Sequence, residues 1–504
     1  MTAALAEPLT LDGLTLDSFA GRPVAVLGFA RSGLAAARFL ADRGARVTVY
    51  DGLSADELED AIAGLDGRPV RLLLGPVVNP GAALDGQALL VTSPSVSSRY
   101  PTTEPRLRAA LAAVEAEGRV PVVSEMDLFL RLCPAVTIGV TGTKGKTTTA
   151  SLIAAVLGAA QAPVLLGGNV GTPLVERLPE LTPAHRVVLE ISELQLPTLS
   201  RGTSVAVYTH VTADHLDRHG SVAAYRAVKG RLAEMTGAHG ALVLNAEDPV
   251  SRTYGASSAA PVTFYRRDEP ARGEVGVRDG WVVAEGVERL ALARGGAADT
   301  GASGRVLPLA EIRLPGAHSV SNVLAAVAVG LRFGVAHKGI RGAVAAFTGV
   351  EHRLETVVEH EHVRYVNDSQ GTQPDAVIAA LKSFAPPLVL IAGGRSKDLS
   401  LEELARVAAT RATAIVLIGQ SAADYERIFR AAGHGRVERS PSLEAAVARA
   451  DEIARQELAA APPSTIATVL LSPAAASFDM FADYAARGRA YRAAVEALVA
   501  GRLR

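Results

Sequence analysis

The most informative chemical motif in the chain is a glycine- and threonine-rich run, TGTKGKTTT, at residues 141–149. It follows an apolar stretch, VTIGV, and precedes a helix-forming one, ASLIAAVLGAA. In such a turn, backbone N–H groups converge at the helix start and the helix dipole adds partial positive charge. The ammonium of Lys146 can then reach outer phosphates, and the hydroxyl of Thr147 can hold a Mg²⁺ ion. We therefore predict phosphate binding rather than a simple Gly/Thr-rich helix cap.

The spacing of the two loop glycines departs from the general phosphate-loop pattern, G-x-x-x-x-G-K-[ST]. Gly142 and Gly145 are separated by only two residues, and Val140 stands where the first glycine of that pattern would fall. This short form argues against a switch GTPase or a transporter ATPase, because those proteins use the longer loop.

Further along the chain, several ionisable residues lie at the end of a predicted strand, just after one, or in a predicted helix. Glu190 ends the strand-like stretch VVLE, and Asp214, His215 and Asp217 follow the strand-like stretch VAVYTHV. Lys229 lies in the helix-like stretch YRAVKGRLAEM. Carboxylate and imidazole groups at strand ends could hold a divalent cation beside a phosphate. Taken singly, these groups have ordinary alternatives: a solvated acid, a cap or surface turn, and a surface lysine.

The apolar patterning that must position these residues alternates strands and helices along the whole chain. Predicted strands include PVAVLGFA, RVTVYD and ALLVTSPS, then VTIGV, HRVVLEIS, VAVYTHV and GALVLNAED, and finally VRYVNDS, LVLIAGG, AIVLIG and IATVLLSPA. Such alternation indicates an α/β fold with parallel sheets. The length of 504 residues suggests about three domains, with ligands bound at the carboxyl ends of the strands.

The segment at about 251–312 has weaker patterning. GEVGVRDGWVVAEG predicts a hairpin that turns at Asp279–Gly280. ARGGAADTGASG predicts a surface loop, and HSVSNVLAAVAVGLRFG predicts a return to helix.

Composition and charge exclude several classes of partner. Lys and Arg (51) nearly balance Asp and Glu (52), so the net charge does not favour nucleic acid or an acidic membrane surface. The single cysteine, Cys133, allows no disulfide framework, which is typical of a reducing compartment. The N-terminus lacks a basic signal-peptide region, and no apolar run nears the roughly 18 residues of a membrane span. We expect a cytoplasmic monomer without membrane insertion.

The short loop, T-G-T-x-G-K-T-T-T, resembles the ATP loop of the Mur ligase and folylpolyglutamate synthetase superfamily, whose enzymes join an amino acid to a carboxylate. Three further stretches resemble motifs of these enzymes: GAHSVSNVLAAVAVG, FTGVEHRLE and YVNDSQGTQPDA. The resemblance implies an ATP site made of Gly142, Thr143, Lys144, Gly145, Lys146, Thr147, Thr148, Asn322, Arg353 and Asp368. Lys144 stands where the family often has Asn.

The same resemblance implies a three-domain α/β architecture. It places a Rossmann-like domain that binds a UDP-linked substrate at 1–132, a central P-loop ATPase-like parallel sheet at 133–348, and a Rossmann-like glutamate-binding domain at 349–504. It also implies Mg²⁺ ions held by Thr147, Glu190 and His215, together with a carbamylated Lys229. A carbamate would turn a cation into an anionic metal ligand.

The C-terminal stretch LSPAAASFDMFADYAARGRAY resembles the glutamate-adding member of the family most specifically. This resemblance implies a glutamate site made of Thr372, Lys397, Ser477, Phe478 and Tyr484. An ammonium at Lys397 could pair with a side-chain carboxylate. Gln370 stands where the family motif has Lys, which removes a charge near this site. D-glutamate is the favoured substrate, and L-glutamate is the alternative.

The nucleotide substrate would bind in the first domain. The turn GFARSG, at residues 28–33, suits a diphosphate because it opens a helix. The resemblance implies a UDP-substrate site made of Ser32, Gly33, Asp51, Ser93 and Asn169. A nicotinamide dehydrogenase is the competing interpretation of this domain, but the turn lacks the G-x-G-x-x-G spacing.

The reaction implied by the resemblance is ATP-dependent addition of glutamate to UDP-N-acetylmuramoyl-L-alanine through an acyl phosphate, a step of peptidoglycan precursor synthesis. Lys146, His215, Lys229 and Arg353 would be the catalytic residues. Another Mur ligase step, or a folate- or cyanophycin-type ligase, is an alternative that would share the central domain only.

Overall fold

Three β-sheets organise the chain in the computed structural model, which describes residues 7–100, 102–169, 173–212, 219–290, 301–314, 316–396 and 400–502. Across these residues the sheets contain five, nine and six strands. The chain divides into two compact units, Met1–Phe347 and Thr348–Arg504. The first unit holds the first two sheets, and the second unit holds the third. Within the described ranges, no helix is long and apolar enough to cross a membrane.

The first sheet is entirely parallel, with the strand order β3-β2-β1-β4-β5. Its strands are β1 (Pro23–Leu27), β2 (Arg46–Asp51), β3 (Val70–Leu74), β4 (Leu89–Thr92) and β5 (Val122–Ser124). Its helices are Arg31–Asp42, Glu59–Ala63, Gly81–Leu84, Pro105–Glu117 and Glu125–Leu132. The central strands β1 and β4 are apolar and buried on both faces, as parallel sheets require. The strand order reverses between β1 and β4, which is where a ligand crevice forms in such sheets.

The second sheet has the order β14-β13-β12-β11-β10-β9-β6-β8-β7. Its strands are β6 (Val136–Thr141), β7 (Val164–Gly168), β8 (Arg186–Glu190), β9 (Val205–Tyr208), β10 (Ala241–Asn245), β11 (Val262–Tyr265), β12 (Glu274–Arg278), β13 (Trp281–Val287) and β14 (Ala302–Pro308). Its α-helices are Lys146–Gly158, Val222–Met235, Pro249–Tyr254, Ala317–Arg332 and His337–Ala346. Short 3-10 helices cover Val175–Glu180, Leu196–Thr198, Gly255–Ser257 and Leu309–Glu311. The strand β6, which leads into the TGTKGKTTT run, lies between β8 and β9.

The predicted hairpin in this sheet is confirmed. Strands β12 and β13 pair antiparallel across Asp279 and Gly280, and both turn residues have positive φ angles (51° and 74°), as a two-residue hairpin turn requires. The surface loop predicted over ARGGAADTGASG is wrong at its C-terminal end, because β14 begins at Ala302 and pairs antiparallel with β13. Pairing with a neighbouring strand overrides the weak local preference of this Gly- and Ser-rich stretch.

The third sheet has the order β15-β16-β20-β17-β18-β19, with only β15 antiparallel to its neighbour. Its strands are β15 (Glu355–His360), β16 (Val363–Asn367), β17 (Leu388–Gly393), β18 (Ala414–Ile418), β19 (Val437–Arg439) and β20 (Ala467–Leu471). Its helices are Pro374–Ser383, Glu402–Arg411, Ala422–Ala431, Leu443–Ala459 and Tyr484–Arg502. The predicted α/β class is therefore confirmed, whereas the domain limits at 132/133 and 348/349 stay predictions.

Candidate functional site

The phosphate-loop candidate connects β6 to the helix Lys146–Gly158. Both of its glycines have positive φ angles, +143° at Gly142 and +86° at Gly145. A Cβ at Gly142 would lie 2.1 Å from Thr209 Oγ1, and a Cβ at Gly145 would lie 2.6 Å from Asn322 Oδ1. Glycine is needed at both positions because the backbone and the neighbouring side chains leave no room for a Cβ.

Backbone and hydroxyl contacts hold this loop in place. The N–H of Thr143 donates to His210 O (2.7 Å), and the hydroxyl of Thr209 donates to Lys144 O (2.6 Å). Lys146 Nζ donates to the carbonyls of Gly142 (3.1 Å) and Thr143 (2.9 Å). The first turn of the following helix carries no acidic side chain, so loop, dipole and ammonium together favour an anion.

Two residues that the sequence analysis did not select support the loop from other elements. Thr209 follows β9, and the hydroxyl of Tyr225, on the helix Val222–Met235, lies 2.9 Å from Thr143 Oγ1. Asn322 was predicted, and its Oδ1 accepts from the Thr149 hydroxyl at 3.2 Å. Both residues lie in or beside stretches that the sequence singles out, but nothing in their local pattern indicates contact with the loop.

The Thr147 hydroxyl and the Glu190 carboxylate form a pair of oxygen ligands suited to Mg²⁺. Thr147 Oγ1 donates to Glu190 Oε2 (2.7 Å), while Asn169 Nδ2 donates to Glu190 Oε1 (3.0 Å). Both Thr147 and Glu190 are buried at the phosphate loop, and hard oxygen donors are what Mg²⁺ selects. These residues therefore fit the ion.

The remaining predicted metal ligands are only partly described. Within the described ranges, no group of three or more His, Cys, Asp or Glu side chains lies together as a metal site. His215, like Asp214 and Asp217, lies outside the described residues. Its predicted role therefore stays a prediction.

Lys229 is fully buried, so it is not a surface lysine. Its Nζ lies 3.2 Å from Thr141 Oγ1 and 5.6 Å from the centre of the Tyr225 ring. Thr141 is the last residue of β6 and directly precedes the phosphate loop. The side chain thus ends beside this loop, where a carbamate would be an anionic metal ligand. Carbamylation itself stays a prediction.

The UDP-substrate candidates lie at the carboxyl ends of β1, β2 and β4. Ser93 Oγ, after β4, donates to Gly28 O at 3.0 Å. A Cβ at Gly33 would lie 1.8 Å from the same carbonyl, so the helix can begin this close to the turn only with glycine there. Asp51 Oδ2 accepts from the N–H of Phe29 (2.7 Å). Ser32 lies in the first turn of the helix Arg31–Asp42, and this turn has no acidic residue. Such a helix start favours an anion, while the UDP-substrate site itself stays a prediction.

Asn169 connects this region to the phosphate loop. Its carbonyl accepts from the Arg31 guanidinium (3.4 Å), and its side chain donates to Glu190 as described above. Arg31 begins the helix after the GFARSG turn. The structure thus brings Asn169 between the two predicted sites, which sequence distance does not suggest.

The glutamate candidates in the second unit lie on loops that follow β16 and β20. The N–H of Thr372 donates to Gln370 O (2.8 Å), and the Ser477 carbonyl accepts from Met480 N (3.0 Å). Ser477 is buried, whereas the side chain of Phe478 is 61% exposed. Tyr484 begins the last helix. Lys397 lies outside the described residues, so its role stays a prediction.

Arg353 precedes β15 and Asp368 follows β16, and a hydrogen bond joins these two segments of the second unit. Arg353 N donates to Val350 O (3.1 Å), and its neighbours His352 and Leu354 have positive φ angles of 62° and 46°. Asp368 Oδ1 accepts from Leu354 N at 3.1 Å. The strained backbone fixes the direction in which Arg353 leaves the chain.

Burial raises the pKa of Asp368 to about 6, although hydrogen bonds from Ser472 and Leu354 and the charge of Arg353 oppose the rise. The unfolded chain therefore ionises Asp368 at lower pH than the folded protein does. The neutral carboxyl makes its full contribution to the free energy of unfolding below about pH 4. This contribution, at most about 3 kcal/mol, is lost as the pH rises from 4 through 6.

We therefore expect Asp368→Asn to gain stability relative to the unsubstituted protein as pH rises from 4 to 8. Thermal unfolding midpoints across this range measure the effect, with the exposed Asp375→Asn as control for loss of a surface carboxylate. A constant difference between Asp368→Asn and the unsubstituted protein at every pH would contradict the expectation.

Comparison with known proteins gives the same assignment as these motifs. Two family models match the chain: "Mur ligase middle domain" over residues 140–330, and "Mur ligase, glutamate ligase domain" over residues 352–475. The protein of Pelotomaculum thermopropionicum named UDP-N-acetylmuramoylalanine–D-glutamate ligase is 37% identical, covering 96% of this chain and 100% of that one. A Symbiobacterium thermophilum protein of the same name is 38% identical, covering 94% and 98%.

A solved structure supports the fold. The UDP-N-acetylmuramate–alanine ligase of Thermotoga maritima superposes with a TM-score of 0.51 at 16% identity, covering 94% of this chain and 99% of that one. At this identity the likeness concerns the fold alone. The family models and the curated relatives lead to one conclusion: this chain belongs to the Mur ligase family of ATP-dependent ligases.

Proposed function

We propose that this Mur ligase adds D-glutamate to the alanyl carboxylate of UDP-N-acetylmuramoyl-L-alanine, with ATP hydrolysed to ADP and phosphate. The observation that carries the proposal is similarity over nearly the whole chain to relatives that bear this activity in their names. The LSPAAASFDMF stretch and the arrangement of the phosphate loop, with Thr147 buried against Glu190, support it. The product belongs to peptidoglycan precursor synthesis.

The nucleotide-binding residues have defined tasks in this proposal. A carboxylate is a poor electrophile, so it must first accept a phosphoryl group. The loop N–H groups and Lys146 bind the transferring phosphate and stabilise the charge that develops on it. Thr147 and Glu190 would hold Mg²⁺, which neutralises phosphate charge when bound. The role of Arg353, which lies in the second unit, stays the prediction made from the sequence.

The amino-acid side of the proposal depends on the loops after β16 and β20. Thr372 and Ser477 offer hydroxyl groups for a carboxylate, and Lys397 would add the pairing charge. Gln370 cannot supply the ammonium that the family motif has at its position. Its side-chain Oε1 is buried and has no hydrogen-bond partner in the described part of the chain. This difference makes the chirality of the glutamate the point to test.

The decisive experiment measures phosphate release from ATP in the presence of UDP-N-acetylmuramoyl-L-alanine and one amino acid at a time. We expect release with D-glutamate and none with L-glutamate or the other amino acids. Release only with L-glutamate would keep the fold and the chemistry but reassign the pocket around Gln370. No release with any pair would overturn the proposed acceptor substrate.

A further inference from the structure

Arg487, in the helix Tyr484–Arg502, has a guanidinium group buried among backbone carbonyls. Its side chain is 1% exposed. Nε donates to Ser369 Oγ (3.0 Å) and Nη2 donates to Ser369 O (3.0 Å). Nη1 donates to Ala476 O (3.2 Å), and both terminal nitrogens donate to Ala475 O (3.3 Å). All five N–H donors of the guanidinium therefore have acceptors.

These acceptors belong to the two loops that carry predicted glutamate residues. Ser369 lies on the loop after β16, three positions before Thr372. Ala475 and Ala476 lie on the loop after β20, directly before Ser477. Arg487 thus joins the two loops next to the residues proposed to bind the amino acid.

Further contacts concentrate at the same point. Ala474 N donates to Gly371 O (2.9 Å), which links the two loops a second time. Ala476 also exchanges two backbone hydrogen bonds, both 3.0 Å, with Arg395 on the loop after β17. Three loops at the carboxyl edge of the third sheet therefore meet at the carbonyls that Arg487 contacts.

The chemistry of these contacts is unusual for a structural arginine. Burial lowers the pKa of Arg487 to about 10, and the five hydrogen bonds go to neutral oxygens. Asp479 is the nearby carboxylate that favours the charge, but its Oδ2 accepts from Gln420 N (2.8 Å). Burying a cation is costly unless its donors are satisfied, and an apolar side chain here would leave the carbonyls of Ser369, Ala475 and Ala476 without this donor. A planar fork is the geometry that reaches all these acceptors at once.

We propose that Arg487 is a positioning residue for the amino-acid substrate: its planar fork sets the separation of the Thr372 and Ser477 loops and thereby the affinity for glutamate. The inference rests on the proposed function. Lysine cannot replace it, because an ammonium has three donors on a flexible stem and cannot satisfy the four acceptors that the guanidinium contacts.

The test compares Arg487→Lys with Arg455→Lys, a matched change of a partly buried arginine that pairs with Asp451 and Glu361 in the same unit. We expect Arg487→Lys to raise the KM for glutamate by about tenfold or more, since small displacements of binding groups have large effects. The KM values for ATP and for the nucleotide substrate should stay the same. Arg455→Lys should leave all three values unchanged.

Chemical rescue separates positioning from folding. Arg487→Ala should have a raised KM for glutamate that added methylguanidine lowers again, whereas methylguanidine should not change the KM of Arg455→Ala. A normal glutamate KM in both Arg487 variants would overturn the inference. An equal loss of kcat at saturating concentrations of every substrate, without a change in the KM for glutamate, would also overturn it.

A readout without turnover keeps this test distinct from that of the proposed function. Hydrogen exchange should quicken in Arg487→Lys in peptides covering residues 368–372 and 472–477 together, and not in Arg455→Lys. If the unsubstituted protein releases no phosphate with any amino acid, the proposed function fails while this measurement still decides the loop geometry. Unchanged exchange in both loops would overturn the role of Arg487.

Discussion

Replacing Lys146 with alanine is expected to lower kcat by about 10²–10³-fold, the usual effect of removing one preorganised charge from a transition state. Lys146 Nζ already lies over the phosphate loop, bonded to the carbonyls of Gly142 and Thr143. Because the half-buried ammonium is positioned before ATP binds, its removal takes away a preorganised charge that is only partly screened by water. Single-turnover measurement of phosphate release from ATP reports the chemical step directly.

Lys338→Ala is the matched control for this experiment. Lys338 is exposed on the helix His337–Ala346 of the same unit. We expect kcat for this variant to equal that of the unsubstituted protein. If Lys146→Ala kept a kcat within a factor of two of the unsubstituted enzyme, Lys146 would have no role in phosphoryl transfer.

Replacing Lys229 with alanine is expected to lower activity by about 10²-fold or more, and a short-chain carboxylate such as acetate should restore part of it. Lys229 is fully buried and ends 3.2 Å from Thr141 Oγ1, one residue before the phosphate loop. An added carboxylate can occupy the space that the shortened side chain leaves and supply the negative charge of the proposed carbamate. Activity measured against acetate concentration tests this.

The Lys229→Met variant separates this role from folding. Its volume resembles that of lysine, so the cavity stays filled, but its side chain cannot donate to Thr141 Oγ1 as Lys229 does. We therefore expect a protein that still unfolds in one cooperative transition, with activity lost and no rescue by acetate. Full activity of Lys229→Ala without acetate would refute the carbamate hypothesis.

Local chemistry determined much of this protein. The strand–loop–helix around Gly142 and Gly145, the hairpin turn at Asp279–Gly280 and the alternation that produces three parallel-rich sheets all depend on residues close in sequence. Glycine spacing, helix-start chemistry and apolar periodicity act over a few residues, so their consequences could be predicted before the structure was known. The motif resemblance also indicated the family correctly.

The features that the sequence did not predict have one physical origin, which is contact between distant parts of the chain. β14 was missed because its strand conformation comes from pairing with β13 rather than from its own residues. From the sequence alone, Lys229 could be an ordinary surface lysine, and only its packing against β6 shows that it is buried. Arg487 lies in the C-terminal stretch LSPAAASFDMFADYAARGRAY, but no local feature indicates that its fork contacts the carbonyls of two separate loops.

Short-range patterns in the sequence were enough to predict the fold class, the phosphate loop and the family. Which distant groups meet became known only from the folded chain: Thr209 and Tyr225 at the phosphate loop, and Asn169 beside Glu190. Such contacts depend on strand order and helix packing, which bring residues tens of positions apart to the carboxyl edge of one sheet.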